Sequence, residues 1–139
     1  MQEERLQTLE EWKRDLEKAW LQIPKPFRND HSVRRTLQCR LYRQLIETGY
    51  HIVADYMPPR IKDREIDLIV VDDDHAIVYA ICIDTVVTLA AVKSLSSFEA
   101  ANKVIFTTGL LLKKVQESRF FLKPEIEHVH LQPFEKPYS

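Results

Sequence analysis

The chain predicts an α/β fold, a mixed central sheet with helices on both faces, in the order α-α-β-β-β-α-β-α-β. Three observations predict it. Two amphipathic helical patterns come first. Two β-branched runs, residues 65–71 and 76–83, are joined only by Asp72-Asp73-Asp74-His75, which reads as a hairpin turn. After that hairpin the chain alternates helix and strand, and such crossovers lay strands parallel with helices over them.

The first helix is predicted over residues 3–22. Leu6, Leu9, Trp12, Leu16, Ala19, Trp20 and Ile23 recur at steps of three and four. Glu3, Glu4, Glu10 and Glu11 suit its N-terminal half, and Lys13, Arg14 and Lys18 its later part. Pro24 and Pro26 stop it. Its two-tryptophan face packs either on the chain's own core or on a partner: a second copy in a homodimer, or another protein. The second helix is predicted over residues 32–48, with Ser32 as N-cap, Val33, Leu37, Leu41 and Leu45 buried, and Gly49 in the left-handed position that ends it. Strands follow at 50–56, 65–71 and 76–83, then a helix at 89–100, a strand at 103–108, a helix at 111–121 and a short strand at 127–131. The organisation expected is an amphipathic helix at 1–23 appended to a core at 24–132, with a loosely held tail at 133–139.

A length of 139 residues suits one domain with a real core. The net charge of −1 singles out no partner, but the distribution is uneven. Residues 24–64 hold nine Lys/Arg against four Asp/Glu, and residues 65–84 hold six acids and no Lys or Arg. A basic stretch beside an acidic strand pair suits phosphate binding near a metal, and equally two solvated faces. Cys39 and Cys82 lack ligand spacing and sit in apolar elements, so a reducing cytoplasm is the expected setting. No apolar stretch follows Met1, and no run approaches the ~20 residues that span a bilayer, so secretion and membrane association are not expected.

After residue 30 the order of elements resembles that of the PD-(D/E)XK nuclease superfamily, particularly its small Holliday-junction-resolvase-like and Mrr-type members. The resemblance spans about residues 31–131. Gln38-Cys39-Arg40-Leu41-Tyr42-Arg43-Gln44-Leu45-Ile46-Glu47-Thr48-Gly49-Tyr50 is similar to the first core helix of these proteins. Glu65-Ile66-Asp67-Leu68-Ile69 resembles their metal-binding strand, residues 78–82 fall on their Glu-x-Lys strand, and Val104-Ile105-Phe106-Thr107-Thr108-Gly109 resembles the strand after it. The likeness implies a restriction-endonuclease-like, three-layer fold and Mg²⁺-dependent phosphodiester hydrolysis. That chemistry needs converging carboxylates to hold the metal and a lysine to help activate water.

Position by position, the resemblance implies a degenerate site. Asp67 keeps the family's metal-binding aspartate, but Gln38 falls on the helix glutamate, Ala80 on the second carboxylate and Cys82 on the lysine. The leading expectation is therefore a nuclease-like protein without catalysis or cofactor, serving as a nucleic-acid-binding or partner subunit. Lys25, Arg28, Arg34, Arg35, Arg40 and Arg43 would then be its DNA-binding surface. One alternative is a rebuilt Mg²⁺ site in which Glu65, Asp84 and Lys93 join Asp67. Another is a protein-interaction module that uses the Trp12 and Trp20 helix and no nucleic acid. The Asp72–Asp74 run reads as a solvated turn, His128 and His130 as a pair on one strand face, and Cys82 as a buried, inert thiol.

Overall fold

The structure, a computed structural model, describes residues 8–134. Helix α1 runs Leu9–Gln22. Thr8 is extended and caps it: its hydroxyl accepts from the Glu11 N–H at 3.2 Å, and the Glu11 carboxylate reciprocates. The helix therefore starts later than predicted, and residues 1–7 lie outside the described residues. Helix α2 runs Asp30–Ile46. Its N-cap is Asn29, not Ser32. Asn29 Oδ1 accepts from the Ser32 N–H at 2.9 Å, and Ser32 Oγ accepts from the Asn29 N–H at 3.0 Å. Gly49 has the expected left-handed backbone, with φ of 92°.

Five strands follow: β1 (His51–Tyr56), β2 (Ile66–Val71), β3 (Ile77–Asp84), β4 (Asn102–Thr107) and β5 (Ile126–His130). They lie side by side in chain order. The β1–β2 and β2–β3 pairs are antiparallel, and the β3–β4 and β4–β5 pairs parallel. The hairpin between β2 and β3 closes through Asp72, whose Oδ1 accepts from the N–H groups of Asp74 and Ala76 at 2.9 Å each. Helix α3 (Leu89–Ser96) and helix α4 (Leu112–Ser118) form the two crossovers. The predicted helix at 89–100 stops at Ser96. Beyond it, Phe98 stacks edge-on against Tyr56 at 6.0 Å, and the Ala101 N–H joins the Ile77 carbonyl at 2.9 Å.

The sheet separates two apolar layers. On one side Leu68, Val70, Ile81, Ile83, Val104 and Phe106 pack against α1 and α2. On the other, Ile69, Ala80, Cys82 and Ile105 pack against Val92 and Leu95 of α3. Trp12 and Trp20 lie inside the first layer, and Trp12 meets Tyr79 edge-on at 5.0 Å. Full burial of each large apolar side chain is worth about 1.5–3 kcal/mol. Helix α1 is thus built into the core rather than appended to it, and its two indoles are covered by the chain itself. Phe134, in the predicted loose tail, stacks on Trp20 at 5.4 Å beneath the Arg28 guanidinium; residues 135–139 lie outside the described residues. Among the described residues, no helix is long and apolar enough to cross a membrane.

Candidate functional site

Asp67 sits on β2 with its side chain wholly buried. The Leu68↔Ile81 pairing sets it beside Cys82 and Ile83, and the Ile83 N–H donates to Asp67 Oδ2 at 2.6 Å. Both carboxylate oxygens also meet arginines. Arg34 Nη2, from α2, donates to Oδ1 at 2.8 Å, and Arg64 Nη2 donates to Oδ2 at 2.8 Å. The same Arg64 nitrogen reaches Asp84 Oδ1 at 3.1 Å, so one guanidinium joins the acids of two neighbouring strands. Arg64 is itself buried. Its Nη1 donates to the Glu65 carbonyl, and the Arg64 carbonyl accepts from buried Ser94 Oγ of α3 at 2.6 Å.

Gln38, one turn after Arg34 on the same face of α2, extends this network. Its Nε2 donates to the Asp67 carbonyl at 2.9 Å and to Asp55 Oδ1 at 2.8 Å. A glutamate here would set acceptor against acceptor at both contacts, so the Nε2 end of the amide suits its surroundings, while Oε1 is buried with no hydrogen-bond partner among the described residues. Asp55 has a left-handed backbone, with φ of 52°, unusual for a residue other than glycine, and Arg35 Nη1 grips both its oxygens at 3.1 Å.

Burial works against the charged form of Arg64, but Cys82, Asp67 and Asp84 outweigh it and push its pKa up. Burial pushes the Cys82 thiol up to about 12, with Asp67 and Asp84 adding to it and Arg64 opposing. Cys82 therefore stays a thiol at neutral pH, which leaves the two aspartates as the lasting counterions of Arg64. Burial raises the pKa of Asp84, with Arg64 pulling the other way. For Asp55 burial acts upward too, yet Gln38, Arg35 and Arg34 together bring it below the ordinary carboxylate value.

This donor set does not fit a hard divalent cation. Such an ion needs carboxylate lone pairs directed at it, and those of Asp67 are directed at two guanidinium groups and an amide N–H. Ala80 and Cys82 supply packing beneath α3, not ligands. Among the described residues no three His, Cys, Asp or Glu side chains come together as a metal site. Of the residues considered for a rebuilt centre, only Asp84 joins Asp67, and it does so through Arg64. Glu65 precedes β2 and is half-buried, with no side-chain hydrogen bond or ion pair among the described residues, while Lys93 is exposed on α3, whose neighbouring Ala91, Val92, Ser94 and Leu95 are buried.

The six basic residues of the predicted DNA surface divide into two groups. Arg28 donates to the carbonyls of Ile23 (2.8 Å) and Leu21 (3.1 Å) at the end of α1. Arg34 and Arg35 are held by Asp67 and Asp55. Lys25, Arg40 and Arg43 have no ion-pair partner among the described residues. Away from this region, Thr107 Oγ1 lies 2.8 Å from both His128 Nε2 and His130 Nδ1. Burial, Arg119 and His130 bring His128 down to about 4, so it stays neutral in this cluster.

Arg64 and Asp55 were not anticipated as site residues. The signal for Arg64 was an arginine three positions before an aspartate set in an apolar strand: such an acid, buried, needs a cation.

No family model matches the chain, and no curated protein matches it. Among solved structures, a repair endonuclease from Pyrococcus abyssi aligns with a TM-score of 0.42 at 14% identity over 79% of this chain and 50% of that one. The chain thus spans about half the length of that endonuclease.

Proposed function

We propose that this chain is a restriction-endonuclease-like protein of the PD-(D/E)XK type whose catalytic centre has become an internal ion-pair network, and that it acts as a non-catalytic partner subunit. One observation carries the reading: Arg34 and Arg64 take both oxygens of the one retained aspartate, and Arg64 also binds Asp84. Two guanidinium charges stand where the superfamily's chemistry requires a metal. Gln38, Ala80 and Cys82 are consistent with the exchange, since the amide donates and the other two pack. The conversion of Arg28, Arg34 and Arg35 to internal contacts favours a protein partner over DNA, because half of the basic surface is already engaged.

A cleavage assay tests the loss of catalysis. Purified chain is incubated with supercoiled, linear and branched DNA in Mg²⁺ or Mn²⁺, beside an Asp67→Ala variant. No nicking above the variant's background is expected. Metal-dependent nicking that disappears in Asp67→Ala would refute the reading.

A further inference from the structure

A groove of about 480 Å³ runs between the C-terminal end of α1 and the side of α2 turned away from Asp67. Ala19, Ile23 and Pro24 form its apolar wall, and Arg40 and Arg43 stand on the opposite wall. At 100° per residue, Arg40 and Arg43 lie on the far side of α2 from Arg34 and Gln38, so the groove and the ion-pair network are separate surfaces of one helix. No residue lining the groove carries a carboxylate. Both arginines lack an ion-pair partner among the described residues, whereas Arg28, Arg34 and Arg35 all have contacts. Exposed Leu21 and Phe27 belong to the same α1-to-turn segment.

We infer that this groove receives an acidic segment with aliphatic anchors, contributed by a partner protein. The inference rests on the partner-subunit reading and names the partner's chemistry. Charge complementarity carries it. Two guanidinium groups without an ion-pair partner among the described residues, three residues apart on one helix face, present forked donors suited to carboxylates. The wall facing them, Ala19, Ile23 and Pro24 with Gln22 beside them, is mainly aliphatic, so it accepts Leu or Ile side chains through burial of apolar area. A nucleic-acid strand fits less well, because no aromatic side chain lines the groove for bases to stack on.

The probes are labelled amphipathic peptides of about 20 residues, long enough to form a helix. One carries Leu at helical spacing with Glu flanks, a second keeps the Leu positions with Lys in place of Glu, and a single-stranded oligonucleotide serves as the third. Fluorescence anisotropy is read against the full chain and against Arg40→Glu/Arg43→Glu, with circular dichroism confirming that the variant is folded. The Glu peptide should bind, and the double variant should weaken it by at least about tenfold. Arg40→Lys/Arg43→Lys, which keeps the charge but loses the fork, should fall between them. Amide shifts on binding should appear at Ala19, Ile23, Arg40 and Arg43 and not at Asp67. No binding of the Glu peptide, equal binding of the Lys peptide, tighter binding of the oligonucleotide, or indifference to the double variant would each overturn the inference. Metal-dependent cleavage would instead remove the partner-subunit reading, while the groove would still be judged by the peptide titration.

Discussion

Arg64 is the residue on which the centre of this molecule depends. It is a buried cation bound to fully buried Asp67 and partly buried Asp84, and its removal strips Asp84 of its ion-pair partner and Asp67 of one of its two. Breaking such a pair from one side costs about 3–5 kcal/mol, because the partner's desolvation is no longer offset. Arg64→Ala should therefore lower the unfolding free energy extrapolated from urea titration by that amount. Arg35→Ala, at an ion pair where both side chains are more than a third exposed, should cost about 1 kcal/mol or less. Equal losses in the two variants would show that the Arg64 pair is not the one that matters. At this scale the sequence was half legible. Asp67, Ala80 and Cys82 were singled out by the resemblance to a nuclease motif, and strand spacing added only that side chains two apart share a face. The counterions could not be read in this way. Arg34 arrives from a helix 33 positions earlier in the chain, and only the fold brings it to Asp67.

At the scale of elements, the strands were the most legible part. Residues 66–71 and 77–84 are rich in branched apolar side chains, and a short connection leaves a hairpin as the simplest join. Ends were less legible, because they are decided by single hydrogen bonds. Asn29 took the cap position expected of Ser32, and α3 stopped at Ser96 where Phe98 turned to meet Tyr56. The role of α1 could not be read from its pattern alone. A tryptophan stripe reads the same whether it covers a neighbour or its own sheet, and here it covers the sheet. Trp12→Ala should consequently destabilise the whole domain by about 3–5 kcal/mol in a single unfolding transition. A variant that unfolds as stably as the parent, or that loses only α1 in a separate early step, would return α1 to the status of an appendage.

For the molecule as a whole, the sheet order and the two packed layers give one core, and the network around Asp67 sits where α2, β2, β3 and α3 meet. Such a position is suited to pinning the layers together. Arg34 ties α2 to β2, Arg64 ties β2 to β3, and Ser94 ties α3 to Arg64. The fold class was visible in the order of elements, while the state of the centre depended on charges that only three-dimensional packing brings together. The partner-subunit reading concerns that centre, and titration calorimetry of Mn²⁺ into the chain and into Asp67→Asn addresses it most directly. With the Asp67 lone pairs held by Arg34, Arg64 and the Ile83 N–H, no saturable heat is expected from either protein at millimolar metal. A stoichiometric isotherm for the parent that vanishes in Asp67→Asn would contradict the ion-pair account of the site.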